Sequence, residues 1–538
     1  MKKDMNHINQ TMELSEVMDK WTYDEKNKCY CLEDVLYTPY PKATWFQMLS
    51  IFVPEEYMNA DGSLKEGRKG KYTTHTAPVI FENNASGYMQ MPNVRLGEGR
   101  CYAEQYLAEG MVCVTVGNRG RKTADAEGKW VGKGVAQLID LKTAIRFLRH
   151  NSKLLAGDWS KIISVGWSAG GAMSTLLSVT GDNANYEEYL KENGAFMEES
   201  DAVYAAQIYC PIIDLENANM AYEWLFENSH MAEPSPAGPG GPLNEFQIAL
   251  SKKLSAKYVE YFNNMKLQHP VTGEELYIGE DRRSGNAYDL LMEELEKAAT
   301  KYLKRLDAKL ELVRATSGDY ISGNYTYMDM PPIDPAIFAP VEKDPHAVIH
   351  FPPLVEKQGV DKSAWLSFDG EKAHITSLED YVANHRPRMK TCTSFDQLTN
   401  SSGENEIFGT ETVNYKHFDE NMAEAIASLR EEFPEEVARY YDEFASCIGD
   451  IEQEKQKYLI NPMNFIGTKE VSKQAKAFRI HVGASDADTS FMISLTLAVK
   501  LQMLGDKSVE YELIWDKPHC EADYPGEVIA WIDQVWLK

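Results

Sequence analysis

The sequence predicts an α/β fold in which a mostly parallel sheet, with helices on both faces, is interrupted by a large, mainly helical insertion. Two observations support this fold class. Short β-branched runs alternate with amphipathic helical segments in the first half of the chain, and the same alternation returns near the C-terminus. Between them, from about Glu216 to Pro462, the pattern is helical and charged. We therefore predict a core of residues 1–215 and 463–538 and an inserted domain of residues 216–462.

Apolar runs in the first half predict the strands of the sheet: Trp45–Val53, Ala77–Phe81, Met111–Val116, Lys161–Val165 and Tyr204–Cys210. The segment Gly134–Asn151 predicts a crossover helix, because its apolar residues share one helical face. Towards the C-terminus, Lys476–Ser490 predicts a strand that ends in an acidic loop, and Ser508–Cys520 predicts a strand that ends in a histidine.

The insertion contains three long helical candidates: Leu243–Met265, Ala287–Leu306 and His417–Phe433. A segment rich in proline and glycine, Glu233–Pro242, and a proline-bearing stretch, Met330–Pro353, interrupt them. We expect these helices to cover the carboxyl edge of the sheet, where α/β proteins bind their ligands.

Composition narrows the function classes. The chain has 538 residues, 43% of them hydrophobic, and ten Trp, which favours a well-buried core. A formal net charge of −27 disfavours binding to nucleic acid or to anionic membranes. The sequence has neither an apolar run of about 18 residues nor a hydrophobic segment behind its N-terminal lysines, so we expect a cytoplasmic protein.

The eight cysteines are scattered, which predicts reduced thiols rather than a disulfide scaffold. Cys29 and Cys31 lack a matching cluster of histidines or cysteines, so we predict no metal site. No motif implies a cofactor, and the sequence carries no signal for an oligomeric state.

The segment Gly166–Trp167–Ser168–Ala169–Gly170 has the pattern of a nucleophile elbow. A β-branched run precedes it and a small-residue helical segment follows, as this turn requires. Glycines two residues before and after the serine relieve the crowding of the sharp turn. The backbone N–H of Ala169, at the start of the helix, can help to stabilise an oxyanion.

A carboxylate and a histidine follow in the order found in α/β-hydrolases. The acid is Asp486 or Asp488, because one of the two could instead cap the helix that begins near Thr489. Asp516 is disfavoured because it lies close to His519 in sequence. In such a triad His519 would take the proton of Ser168, and the carboxylate would orient the imidazole.

These motifs and their surroundings resemble the bacterial tannases, serine esterases with an α/β-hydrolase core and a large lid domain that hydrolyse galloyl esters. The resemblance extends from about Phe46 to Trp536. Its best stretches are Ser50–Tyr57, Gly117–Arg121, Gly166–Ala172, Tyr209–Phe226, Arg388–Leu398, Glu404–Gly409 and Gly483–Phe491.

The resemblance implies that Ser168 is the nucleophile, Asp486 the acid and His519 the base, with the backbone of Gly87 as second oxyanion donor. It also implies three residues that contact the phenolic hydroxyls of the substrate: Lys390, Glu404 and Asp488. Two carboxylates and an ammonium can satisfy three adjacent hydroxyls, and a site built in this way rejects analogues that lack them. The implied partner is a small phenolic ester, preferably a gallate.

Some positions depart from the family pattern. Trp167 is a bulky neighbour of the nucleophile and could reshape the pocket floor, and Ser86 stands where a second glycine is expected. Cys520 beside His519 resembles the cysteine that fungal tannases and feruloyl esterases pair with one next to the serine, but Trp167 occupies that position here. Two alternatives therefore remain: a feruloyl-type or general carboxylesterase with the same triad, and a catalytically silent hydrolase fold used for binding.

Overall fold

The computed structural model describes residues 11–97, 102–234, 240–307, 325–326, 355–356, 365–399, 402–468 and 471–536. The predicted proline-bearing stretch Met330–Pro353 lies outside the described residues, as do residues 235–239 of the predicted Pro/Gly-rich segment. Within the described part of the chain, no helix combines the length and apolar character needed to cross a bilayer.

A nine-stranded sheet organises the molecule. Its strands are β1 (Thr22–Asp24), β2 (Cys29–Leu36), β3 (Met48–Pro54), β4 (Val79–Asn83), β5 (Val112–Val116), β6 (Ile162–Trp167), β7 (Ala205–Tyr209), β8 (Ala477–Gly483) and β9 (Ser508–Ile514). The spatial order is β1-β2-β3-β5-β4-β6-β7-β8-β9. Strands β4 to β9 are parallel, whereas β1, β2 and β3 pair antiparallel at one edge. The predicted α/β fold with a mostly parallel sheet is confirmed.

Helices cover the sheet on both faces. In strands β3, β4, β5, β7 and β8 every residue is buried, as expected for strands packed between two helical layers. The α-helices of the described residues are α1 (Ala103–Ala108), α2 (Ala136–His150), α3 (Ala169–Val179), α4 (Glu187–Glu192), α5 (Leu215–Phe226), α6 (Glu245–Asn264), α7 (Asn286–Asp307), α8 (Leu378–Asn384), α9 (Gly403–Ile407), α10 (Glu420–Ala427), α11 (Pro434–Ala445), α12 (Ile451–Ile460), α13 (Phe491–Gln502) and α14 (Glu527–Trp536). Helix α3 packs on β6 and β7, and α13 packs on β8 and β9.

The predicted core elements are present with small shifts at their ends. The strand predicted from Trp45 begins at Met48, because Thr44–Phe46 forms a short 3-10 turn. The predicted crossover helix is α2. The antiparallel pair β1 and β2 was not predicted, and it extends the sheet beyond β3.

The segment between β7 and β8 is mainly helical, as predicted, and holds α5 to α12. Helix α6 begins after Asn244, whose side chain forms a capping box with Gln247. The helix predicted over His417–Phe433 is shorter, because the Asp419 side chain accepts a hydrogen bond from the Asn421 N–H and starts α10 only at Glu420. One hydrophobic cluster runs from the sheet into this segment. The division of the chain into a core and an inserted domain of residues 216–462 stays a prediction.

Candidate active site

The turn between β6 and α3 holds Ser168 in a conformation that few residues adopt. Ser168 has φ 62° and ψ −124°, which is a strained backbone region for a side chain with a Cβ. A Cβ on Gly166 would lie 2.2 Å from the carbonyl oxygen of Gly170. Only glycine therefore fits at position 166, and the turn can close tightly beneath the serine.

Backbone hydrogen bonds fix this turn to the neighbouring strand end. The N–H of Ser168 donates to the carbonyl oxygen of Tyr209 at 3.0 Å, and the N–H of Ile212 donates to the carbonyl oxygen of Ser168 at 3.3 Å. Both partners follow from the position of β7 next to β6 in the sheet. The end of β7 thus supports the strained residue.

Ser168, His519 and Asp486 form a continuous hydrogen-bonded chain. In the tautomer with its proton on Nδ1, His519 accepts from Ser168 Oγ at Nε2, at 2.8 Å, and donates from Nδ1 to Asp486 Oδ2, also at 2.8 Å. Asp486 is fully buried. Its other carboxylate oxygen, Oδ1, accepts from the N–H of Asp488 at 2.9 Å. The remaining candidate acid, Asp516, pairs instead with Lys517 at 3.1 Å.

The charges around His519 favour its protonated form. Burial opposes a charged ring, but the carboxylates of Asp486 and Asp488 outweigh it and raise the pKa of His519 above its ordinary value. Asp488 Oδ2 lies 3.7 Å from His519 Nδ1. Burial likewise opposes ionisation of Asp486, but His519 and Arg386 lower the pKa of this carboxyl. An ionised acid beside the imidazole stabilises the imidazolium when it forms.

Gly87 lies in a short turn, Ser86–Tyr88, that packs against the start of α3. It has φ 60° and ψ 19°, a left-handed conformation that glycine adopts readily. Three backbone hydrogen bonds shape this turn: Ser86 N donates to Asn84 O at 2.7 Å, Tyr88 N to Ala85 O at 3.1 Å, and Met89 N to Ser86 O at 3.1 Å. The Gly87 carbonyl accepts from Arg121 Nε at 2.8 Å. Ala169 follows Ser168 as the first residue of α3, and the turn that holds Gly87 packs against the same helix.

Lys390 contacts Asp488 of the acid loop, which is the loop that follows β8. Lys390 Nζ donates to the backbone oxygen of Asp488 at 2.8 Å and lies 3.7 Å from its carboxylate. The ammonium also lies 4.0 Å from the ring centroid of Phe395. Tyr222, from α5, joins the two segments: its hydroxyl accepts from Lys390 N at 3.1 Å and donates to Ala487 O at 3.1 Å. Helix α5 therefore ties Lys390 to the acid loop.

Glu404 lies on α9, which packs against the Ser86–Tyr88 turn. Burial, and then the Glu404 carboxylate, raise the pKa of the Tyr88 phenol. The Glu404 carboxylate also favours the charged form of Arg121, although burial lowers the pKa of that guanidinium. The helix of Glu404 thus packs against the Ser86–Tyr88 turn, whereas Lys390 lies against Asp488 of the acid loop.

Comparisons with known proteins agree with this geometry. The family model described as BD-FAE matches residues 73–245, which include Ser168. A tannin acyl hydrolase from Lactobacillus plantarum has a TM-score of 0.74 and 29% identity, with 94% of each chain covered. The tannase of Fusobacterium nucleatum has a TM-score of 0.74 and 27% identity, with 96% of this chain and 98% of that chain covered.

This chain is a tannase-like carboxylic ester hydrolase. A further solved structure, a tannin acyl hydrolase in complex with ethyl gallate, has a TM-score of 0.72 and 29% identity, with 94% of each chain covered. No curated protein matches the sequence. The resemblance to bacterial tannases inferred from the motifs is therefore confirmed over nearly the whole chain.

Trp167 and Cys520, which depart from the tannase pattern, both lie at the histidine of this hydrolase. The ring centroids of Trp167 and His519 are 5.1 Å apart, so the bulky side chain packs against the imidazole. Neither Cys520 nor Cys210 takes part in a disulfide, and the Sγ–H of Cys210 donates to the Cys520 carbonyl at 3.2 Å. Ser86, the third residue that departs from the pattern, begins the short turn that holds Gly87.

Two clusters of possible metal ligands occur in the described part of this hydrolase. One comprises Cys210, Asp486 and His519, and the other His481, Glu510 and Glu512. In the first, the acid and histidine already bond to each other. In the second, Glu510 accepts from Arg479 Nε at 2.8 Å and Glu512 pairs with Lys301 at 2.6 Å. Ion pairing thus accounts for the geometry of the second cluster.

Sequence reasoning missed two arginines near the site, the buried Arg386 and the partly exposed Arg121. Arg386 donates to the carbonyl oxygen of Thr489, and its guanidinium lies 3.7 Å from the ring centroid of Phe491. Arg121 contacts both Gly87 and Glu406. The tannase-like stretch Gly117–Arg121 was a signal for the second arginine, but its partners are distant in sequence. Arg386 has no comparable signal, because its burial depends on the tertiary packing.

Proposed function

We propose that this hydrolase cleaves galloyl and closely related hydroxybenzoyl esters through an acyl-enzyme intermediate. The observation that carries the proposal is the hydrogen-bonded chain from Ser168 through His519 to the buried Asp486. The structural neighbours support the substrate class, because one of them is a complex with ethyl gallate and another a complex with 3,4-dihydroxybenzoate.

In the acylation step, Ser168 Oγ attacks the ester carbonyl while His519 Nε2 accepts its proton. The backbone N–H groups of Ala169 and Gly87 stabilise the oxyanion of the tetrahedral intermediate. His519 then returns the proton to the oxygen of the leaving alcohol, and the acyl group remains on Ser168. The 2.8 Å bond between Ser168 and His519 supports this proton transfer.

Deacylation repeats the same chemistry with water. His519 takes a proton from the water molecule that attacks the acyl-enzyme and returns it to Ser168 Oγ as the acyl–oxygen bond breaks. The acid is released, and Ser168 and neutral His519 are restored. Asp486 keeps the imidazole in the required tautomer and stabilises the imidazolium in both steps. Its complete burial supports this role, because a dehydrated carboxylate interacts strongly with its partner.

We propose that the lid, residues 216–462, reads the acyl group. Lys390 and Glu404 come from the lid and Asp488 from the core, and together they would satisfy the hydroxyls of the galloyl ring. The buried ammonium of Lys390, 9% exposed, supports a polar site that discriminates by unpaired hydrogen bonds.

The acyl preference is tested by measuring kcat/KM for methyl gallate, methyl protocatechuate, methyl ferulate and methyl benzoate. We expect methyl gallate to exceed methyl benzoate by about 10²-fold or more, because a site built for hydroxyls rejects an analogue without them. Lys390→Ala, Glu404→Ala and Asp488→Ala should each reduce this ratio. Comparable rates for all four esters, or the highest rate with ferulate, would favour the feruloyl-type or general carboxylesterase.

The nucleophile is tested separately with a serine-reactive fluorophosphonate probe. We expect stoichiometric labelling of the wild-type enzyme and no labelling of Ser168→Ala. This variant is also the blank for the kinetic series. A wild-type enzyme that neither labels nor hydrolyses any of the four esters would support the catalytically silent fold instead.

A further inference from the structure

A loop of the core runs alongside the turn that carries Gly87. The N–H of Met91 donates to Asn118 O at 3.0 Å, and the N–H of Asn118 donates to Met91 O at 2.9 Å. The N–H of Arg121 donates to Tyr88 O at 2.8 Å. The backbone of this loop therefore supports the oxyanion turn along one side.

The side chain of Arg121 extends from this loop in two directions. Its Nε donates to the carbonyl oxygen of Gly87 at 2.8 Å, and its Nη1 forms an ion pair with Glu406 of α9. The Glu406 side chain is buried, with an exposed fraction of 7%, and the Arg121 side chain is partly exposed, at 15%. A Cβ on Gly403 would lie 2.8 Å from Arg121 Cζ, so the guanidinium lies directly against the start of α9.

The bond to the Gly87 carbonyl restrains a residue that is otherwise conformationally free. Glycine in a left-handed conformation rotates at little steric cost, and an oxyanion donor must stay within a few tenths of an ångström of its working position. A guanidinium can donate to the carbonyl and pair with a carboxylate at once, because its N–H groups diverge in one plane. An ammonium at the end of a lysine side chain lacks this fork.

We propose that Arg121 is a positioning residue that joins the oxyanion turn to the lid helix carrying Glu404. Through this residue, the helix proposed to read the galloyl ring and the turn proposed to stabilise the oxyanion share one support. The inference rests on the proposed roles of Gly87 and Glu404. It adds a residue that acts on catalysis through the Gly87 backbone, without itself touching the substrate.

A merely structural ion pair would give a different result, and the chain offers a matched control. Lys122 reaches the same Glu406 carboxylate at 3.4 Å, so Lys122→Gln also removes a cation beside this glutamate. If the ion pair alone mattered, substitutions of Arg121 and Lys122 would have similar effects. If Arg121 positions Gly87, substitution of Arg121 should lower kcat much more than substitution of Lys122.

The experiment measures kcat and KM of Arg121→Gln, Arg121→Lys, Glu406→Gln and Lys122→Gln with methyl gallate and with 4-nitrophenyl acetate. The acetate lacks galloyl hydroxyls and reports on the oxyanion site. We expect both Arg121 variants to lose about ten- to a hundredfold in kcat on both esters, because one oxyanion donor contributes about 10²- to 10³-fold. KM for the acetate should change less than about threefold, since the lost interaction belongs to the transition state.

The other variants separate the two contacts of Arg121, which are the hydrogen bond to Gly87 and the ion pair with Glu406. Glu406→Gln should raise KM for methyl gallate more than for the acetate, because it frees α9 without removing the Arg121 bond to Gly87. Lys122→Gln should retain kcat within about twofold on both esters. The Lys122 side chain is 34% exposed, and ion pairs of exposed side chains contribute little. The melting temperature of each variant is measured beside its kinetics, and Arg121→Lys, which keeps the charge, decides the outcome if Arg121→Gln does not fold.

Wild-type kcat on the acetate in a folded Arg121→Lys enzyme would overturn the positioning role. Equal losses in Arg121→Lys and Lys122→Gln would overturn it as well. Failure of the proposed function gives other results, whatever the Arg121 variants do: comparable wild-type rates on the four methyl esters, or a wild-type enzyme that neither labels with the fluorophosphonate probe nor hydrolyses any of them.

Discussion

Two carboxylates lie close to His519, and their charges affect the pH at which its imidazole is neutral and can accept a proton. A general base must be neutral before it accepts a proton, so kcat/KM is expected to rise with pH through the pKa of His519. Burial lowers that pKa, but the carboxylates of Asp486 and Asp488 raise it by a larger amount, so the net shift is upwards. The acid limb of the pH profile should therefore lie above the ordinary histidine value of about 6.5.

Replacing Asp488 by Asn should move this acid limb to lower pH. The substitution removes a negative charge 3.7 Å from His519 Nδ1, so the protonated ring loses part of its stabilisation and its pKa falls. The measurement is kcat/KM against pH, from about pH 5 to about pH 9, the range in which histidine titrates. The substrate is 4-nitrophenyl acetate, which does not need the proposed contact of Asp488 to a galloyl hydroxyl.

Asp506→Asn is the control, because this carboxylate is exposed and pairs with Lys507 on the surface. It should leave the acid limb in place. An unchanged or raised limb in Asp488→Asn would contradict the electrostatic role of Asp488, although its role in substrate binding would remain open to the kinetic series.

At the residue scale, Ser168 and His519 were predicted from their positions after strands, and the structure places Ser168 Oγ 2.8 Å from His519 Nε2. The sequence left Asp486 and Asp488 as alternatives, because two residues on one loop differ only in which side chain reaches the imidazole. In the structure Asp486 bonds the ring and the Asp488 N–H supports Asp486. The contact between Arg121 and Glu406 joins residues 285 positions apart, a separation that no local pattern reports.

Helix α2 is held to the loop before β7 by a buried cluster of charges. Lys142 Nζ donates to Asp201 Oδ1 at 2.6 Å, and Arg146 Nε donates to Asp201 Oδ2 at 2.8 Å. All three side chains are buried. Burial opposes ionisation of Asp201, but the two cations outweigh it and lower the pKa of the carboxyl. The carboxylate therefore neutralises a helix surface that would otherwise hold two dehydrated cations.

Asp201→Asn should lower the free energy of unfolding by about 3–5 kcal/mol, because it leaves buried cations without their counter-charge. Urea denaturation at neutral pH measures the change. Since the folded pKa of Asp201 is lowered, its stabilising effect is present above the unfolded value of about 3.9 and is lost as the pH falls through the folded value. The difference between wild type and variant should therefore shrink in acid.

The matched control is Glu187→Gln, which breaks the exposed pair with Lys191 on α4. This variant should unfold at the same urea concentration as the wild type, because exposed pairs contribute little. A similar small effect in Asp201→Asn would show that the buried cluster is not a main support of α2.

At the scale of elements, hydrophobic periodicity predicted the parallel strands and the crossover helix. The pair β1 and β2 was not predicted, because buried and partly exposed residues do not alternate regularly along β2. Its pairing with β3 shifts register between Leu32 and Val35, and Asp34 adopts φ 55° at this irregularity. A β-bulge of this kind breaks the two-residue period on which strand prediction depends.

At the scale of the whole molecule, the residues of the proposed site come from distant parts of the chain. Ser168, Asp486 and His519 follow strands of the sheet, whereas Lys390 and Glu404 belong to the inserted segment. A single hydrophobic cluster joins the sheet to that segment. A ligand that contacts both parts should therefore stabilise the folded enzyme as a unit, in addition to its local contacts.

Methyl gallate should raise the melting temperature of Ser168→Ala, which cannot cleave it. At a free ligand concentration of about 100 Kd, binding to the native state alone adds about 2.7 kcal/mol to its stability. Differential scanning calorimetry at several ligand concentrations measures the shift. Because the proposed hydroxyl contacts supply the affinity, methyl benzoate at the same concentrations should give a much smaller shift.

The double variant Ser168→Ala/Lys390→Ala should lose most of the methyl gallate shift, since it lacks the ammonium proposed to bind the phenolic hydroxyls. Ser168→Ala/Lys122→Gln is its control, because it removes a lysine that is not proposed to contact the ligand, and it should keep the full shift. Equal shifts with methyl gallate and methyl benzoate in all three variants would mean that the ring is held by apolar contacts alone. The lid would then contribute shape rather than hydroxyl recognition, and the galloyl preference would have to arise elsewhere in the site.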